Sequence, residues 1–179
     1  MAKRKKKDMK KELEEKKARR DVLKFVLSFI AISILLFSIY YLLKDTFLVS
    51  GLRNSTALIS GTILSFLGFE VAVKGAVVSL DGFSMKIIDE CTAIFSSIIY
   101  VSCVSAYPTT IKNKGLGVIA GVPLLYVIDM LRLLVLGAVG VNSPSLFEFF
   151  HVYFWQGTFI VFVIIVFLAW LRLIKDENK

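Results

Sequence analysis

Three residue types that together make an acyl-transfer set occur in order along this chain: Cys91, Arg132 and His151. A cysteine supplies a nucleophile, a histidine an acid/base group, and an arginine a fixed charge to stabilise what the reaction develops. Each also has a plainer explanation. Asp89 is placed to cap a helix starting at Cys91. A helix N-terminus favours the thiolate, while the charges of Asp89 and Glu90 oppose it. The alternative is that Cys91 is an inert small apolar residue, the usual role of a free cysteine, and the position alone leaves both readings open. Cys103, deep in the same helix, reads as inert; it would lie about 18 Å from Cys91 along a helix, too far for a disulfide with Cα atoms about 4.4–6.8 Å apart.

Arg132 interrupts an apolar run, where a charge is expensive and marks a functional hypothesis by default. Asp129 precedes it by one helical turn on the same face. The pair reads either as a functional group with its support or as a buried ion pair that locks helices together. His151, the sole histidine, is by itself no more than an interfacial polar group. Convergence of the three at one membrane face would be more specific than any one of them. No competing chemistry is signalled. One histidine and two separated cysteines do not make a zinc site, and there is no glycine-rich phosphate loop or spaced Ser–His–Asp set. No metal or cofactor is expected.

The elements that must position these residues are membrane spans. Of the 179 residues 56% are hydrophobic, and the excess sits in runs near the roughly 20 apolar residues that a bilayer core requires. The net charge is +8, yet residues 1–24 hold twelve Lys/Arg and five Asp/Glu, so +7 of it lies there. A basic block before a span marks the cytoplasmic side and favours anionic headgroups. Without interleaved aromatic residues it does not read as a nucleic-acid surface. The pattern predicts an all-α polytopic membrane protein with spans at about 22–43, 91–107, 115–141 and 152–174. Residues 1–21 form a basic cytoplasmic tail, solvated rather than helical, and residues 175–179 a second tail. The first span is too long for a cleaved signal peptide.

Residues 44–54 read as polar and irregular, and 55–68 as a short helix at the interface, too short to cross. Residues 69–88 change period. Asp81-Gly82 between β-prone runs signals a two-residue hairpin over 77–87, which belongs outside the hydrocarbon region. Residues 142–145 read as a turn. The basic N-terminal segment, the loop 109–114 and the end after Arg172 all belong inside, which requires an even number of crossings and puts the hairpin, the start of span 2 and the turn before span 4 outside together.

At this point the chain resembles a known family, the exosortases and archaeosortases. The resemblance rests on Asp89-Glu90-Cys91-Thr92-Ala93-Ile94, Asp129-Met130-Leu131-Arg132, and Phe150-His151-Val152-Tyr153-Phe154-Trp155-Gln156-Gly157, and covers about residues 50–172. It implies a membrane cysteine transpeptidase that cleaves C-terminal sorting signals of exported surface proteins. It further implies Cys91 as nucleophile, Arg132 as oxyanion stabiliser and His151 as acid/base, with Asp129 in support. The implied partners are the sorting signal, membrane lipid and a lipid or glycan acceptor. Two departures stand out: Ala93 occupies a position where glycine is common in the family, and Asp129 one where asparagine is common. The resemblance is to a compact member, in which the extra N-terminal spans of larger members are not expected. Two other readings remain, a non-catalytic membrane scaffold or assembly factor and a small anion transporter lined by Arg132. Four spans without an evident repeat argue against the second.

Overall fold

Residues 2–43 contain no glycine or proline, so nothing stops a helix nucleated in the apolar half from propagating back through the basic half. The computed structural model, which describes residues 2–149 and 155–176, has one helix there, α1 (Ala2–Leu43). The expected solvated tail is thus helical, with an i,i+4 pair between Lys10 and Glu14 at 3.8 Å and exposed side chains from Met9 to Lys24.

The next helix, α2 (Phe47–Phe66), also exceeds its expectation. Residues 47–54 are helical rather than irregular. The reason lies in the buried stripe Val49, Thr56, Ala57, Ser60, Gly61 and Leu64, a helical repeat that starts well before residue 55. Arg53 falls on the same stripe and meets Asp89, so it counts as part of the helix's packing face.

Three antiparallel strands follow: β1 (Val71–Lys74), β2 (Val77–Leu80) and β3 (Phe83–Lys86). The β2–β3 hairpin turns on Asp81-Gly82 with φ of 40° and 86°, the positive-φ pair of the tightest hairpin turns. The predicted hairpin gains β1 as a third strand. Pairing of Val71 with Leu80, Val73 with Val78, Val78 with Met85 and Leu80 with Phe83 puts these apolar side chains on one face. That face closes over Ala57 and Leu64 of α2.

A 3-10 turn (Asp89–Cys91) leads to α3 (Ile94–Ala106), then α4 (Ile111–Asn142), α5 (Pro144–Phe149) and α6 (Trp155–Asp176). Thr110 accepts the Asn113 amide and caps α4. The expected turn at 142–145 is shorter than predicted, because Pro144, suited to a first helical position, opens α5.

Among the described residues three helices are long and apolar enough to cross a membrane, Met9–Leu43, Ile111–Asn142 and Gly157–Lys175. The apolar helix α3 has 13 residues, about 20 Å at the helical rise. It is packed on α1, α4 and α6. Apolar side chains cover the outside of α1, where Leu35 and Leu42 are exposed. Such a surface is stable in lipid and a liability in water.

The α3–α4–α6 contact is built on close approach. Tyr100 is fully buried and donates to the Gly117 carbonyl at 3.0 Å, and Trp170 donates to the Asn113 carbonyl at 3.1 Å. A Cβ at Gly121 would stand 2.3 Å from the Tyr100 ring. Small residues at such contacts let helices approach. Gly121→Ala is expected to destabilise by about 1–3 kcal/mol, read as a lower thermal midpoint in detergent; an unchanged midpoint would mean the ring moves aside freely.

Candidate active site

Cys91 ends the 3-10 turn, three positions before the first residue of α3. The expected helix start at Cys91, capped by Asp89, is not what forms. Ala93 caps α3 in the left-handed region at φ 57°, and the Asp89 carboxylate is occupied elsewhere. It accepts from the Tyr40 hydroxyl at 2.6 Å and pairs with Arg53 at 3.2 Å. Asp89 instead takes part in the turn through its backbone, its carbonyl accepting from Thr92 Oγ1 at 2.7 Å.

The conformation of Ala93 gives a physical reason for glycine at this position. A left-handed L-residue costs roughly 1–2 kcal/mol, and glycine adopts it freely. Ala93→Gly is therefore expected to leave the fold intact and raise the thermal midpoint modestly, since glycine's larger unfolded-state entropy offsets part of the gain. A lower midpoint would show that the Ala93 methyl, 4% exposed, contributes more by packing than its backbone costs.

Cys91 is 3% exposed and packs among Ile87, Met85, Met130 and Leu133 beneath the sheet. It precedes the α3 helix. Arg132 reaches the turn directly: Nη1 donates to the Glu90 carbonyl at 3.1 Å and to Asp129 Oδ1 at 3.3 Å. Both side chains of the pair are 10% exposed. So α4 holds the residue before Cys91 through Arg132, with Asp129 paired to the same guanidinium nitrogen.

Beside the pair, Ser96, Leu125, Ile128, Phe159 and Phe162 complete a pocket of about 20 Å³, enough for roughly one water. Cys103 is a free, half-buried thiol on α3. His151 lies outside the described residues. Of the sequence-predicted set, Cys91, Arg132 and Asp129 are thus brought into one neighbourhood. Tyr40 and Arg53 were not anticipated there. The available signal was Arg53 itself, a cation in an otherwise uncharged helix that needs a counter-ion.

No curated protein and no solved structure matches this chain. A family model does, described as transmembrane exosortase, and it matches residues 19–171. That range takes in the apolar half of α1, the sheet, the Cys91 turn and both membrane helices that follow. The chain belongs to the transmembrane exosortase family.

Proposed function

We propose that this protein is a membrane cysteine transpeptidase that cleaves C-terminal sorting signals of exported surface proteins and passes the cut chain to an acceptor. The observation that carries the reading is the contact of Arg132 with the Glu90 carbonyl, which puts a buried guanidinium against the residue preceding Cys91 in a member of this family.

In this reading the Cys91 proton passes to His151 and the sulfur attacks the scissile carbonyl carbon. Arg132 stabilises the charge on the carbonyl oxygen. As the tetrahedral species collapses, the C–N bond breaks and His151 returns the proton to the leaving amine. The resulting thioester is opened by a hydroxyl or amine of a lipid or glycan, which regenerates the thiol. With water in that role the protein is a protease. Because Cys91 is buried under the sheet, the substrate must displace part of that cover to reach it.

The proposed setting is the cell membrane, with four crossings and both termini in the cytoplasm. Helix α3 and its flanks supply the second crossing, and the Cys91 turn opens to the extracytoplasmic face. The apolar helix of the sorting signal packs beside the spans in lipid.

One observation favours a non-catalytic scaffold instead: Cys91 packs as an ordinary apolar core residue, and the Asp129–Arg132 pair has the geometry of a helix lock. The test is C-terminal mass spectrometry of membrane-anchored surface proteins in the native host carrying Cys91→Ala. Accumulated full-length precursors, with the variant present in the membrane at normal level, support the peptidase. Unchanged processing overturns it and leaves the scaffold.

A further inference from the structure

The Cys91 turn is connected to α3 by two residues, Thr92 and the left-handed Ala93. Such a joint does not by itself fix the direction of the turn before it. Two groups of side chains reach the turn. On the α4 side, Arg132 donates to the Glu90 carbonyl. On the other side stands a group that the proposed chemistry does not use.

The Tyr40 ring packs edge-on against Phe95, at 5.2 Å between centroids, and Phe95 is the second residue of α3. Its hydroxyl donates to Asp89 Oδ2 at 2.6 Å, and Asp89 is the first residue of the turn. One side chain of α1 therefore touches the chain on both sides of the joint. Arg53 of α2 pairs with the other carboxylate oxygen at 3.2 Å. The Asp89 side chain is 13% exposed, so water weakens the Tyr40 hydrogen bond and the Arg53 ion pair little.

We propose that Tyr40 and Arg53 are positioning residues for Cys91, acting through the Asp89 carboxylate to hold the 3-10 turn in one orientation against α3. This deepens, and rests on, the reading of Cys91 as the nucleophile. A nucleophile misplaced by about 1 Å can lose about 10²-fold in rate, so a device that fixes this turn bears on the chemistry without touching the substrate.

The test needs no substrate. In the full-length protein in nanodiscs, with Cys103→Ser leaving Cys91 as the sole thiol, alkylation by iodoacetamide is followed across pH by mass spectrometry. Cys91 is held buried, so releasing the turn accelerates its alkylation. Tyr40→Phe keeps the ring on Phe95 and removes only the hydroxyl. It is expected to raise the rate by about tenfold or more, the equivalent of losing one hydrogen bond to a charged group, and Arg53→Met, which removes the ion pair, is expected to raise it in the same direction. Arg53→Lys is expected to recover most of the wild-type rate. In an Asp89→Asn background, Tyr40→Phe is expected to add little, since coupled residues are non-additive.

Superimposed profiles for wild type, Tyr40→Phe and Arg53→Met overturn the proposal. Equal acceleration by Gly121→Ala, which loosens α3 against α4 away from the turn, overturns it too, because the effect would then be general loosening. The precursor assay answers a separate question: intact processing with Cys91→Ala removes the nucleophile, while the alkylation profiles decide the positioning.

Discussion

Cys91→Ala is expected to abolish processing of precursors, with a loss on the order of 10⁶ in rate, the size seen when an enzyme's nucleophile is removed. The loss follows from the proposed covalent step and not from stability. Cysteine to alanine removes one sulfur from the cluster of Ile87, Met85, Met130 and Leu133, a small cavity by the standard of larger core truncations. The variant therefore accumulates in the membrane. Cys91→Ser is the sharper companion. It keeps volume and a nucleophilic atom, but the serine hydroxyl has no tuned base to match its higher pKa, so it too is expected to be inactive. The wild-type protein should carry a trapped acyl adduct that hydroxylamine releases, and neither variant should form one. Normal processing by Cys91→Ser would remove the thioester from the mechanism.

The second large effect is at Arg132. Arg132→Lys keeps the charge and loses the planar fork, which in the structure contacts the Glu90 carbonyl and the Asp129 carboxylate from one nitrogen. Loss of an electrostatic donor to a developing oxyanion typically costs about 10²–10³ in rate. Truncation to alanine confounds this, since an uncompensated Asp129 left buried costs about 3–5 kcal/mol in stability. The separating experiment replaces both partners. A buried ion pair exchanged for apolar residues of like volume is often neutral or stabilising, so Arg132→Met with Asp129→Leu is expected to restore a stable protein. If Arg132 serves the reaction, processing stays lost at normal protein level. If the pair is only a helix lock, processing returns with the fold.

Much of the architecture is local and was legible for that reason. The Asp81-Gly82 turn follows from two residues that tolerate positive φ between strand-forming runs, and the structure turns there. The apolar runs located α3, α4 and α6 within a few residues, and the C-terminal end of α1. Asp129 and Arg132, one turn apart, were bound to meet if α4 was helical, and they do at 3.3 Å. Boundaries failed where the deciding partner was distant. Residues 44–54 read as polar and irregular in isolation, yet 47–54 become helix, with Val49 buried and Arg53 paired to Asp89. The basic segment was read by its charge, while the missing helix breakers settled its conformation.

What the sequence determined by itself is the class of the molecule and the order of its chemically capable residues, because hydropathy, charge asymmetry and turn chemistry act over a few residues. What only the tertiary structure decided is the company Cys91 keeps. Asp89 was a natural cap for a following helix, but Tyr40, 49 residues away, took its carboxylate. The left-handed Ala93 then displaced the helix start to Ile94. Such choices depend on which elements pack side by side, and an acidic side chain with a tyrosine and an arginine in reach gains more from them than from a backbone amide it could have capped alone.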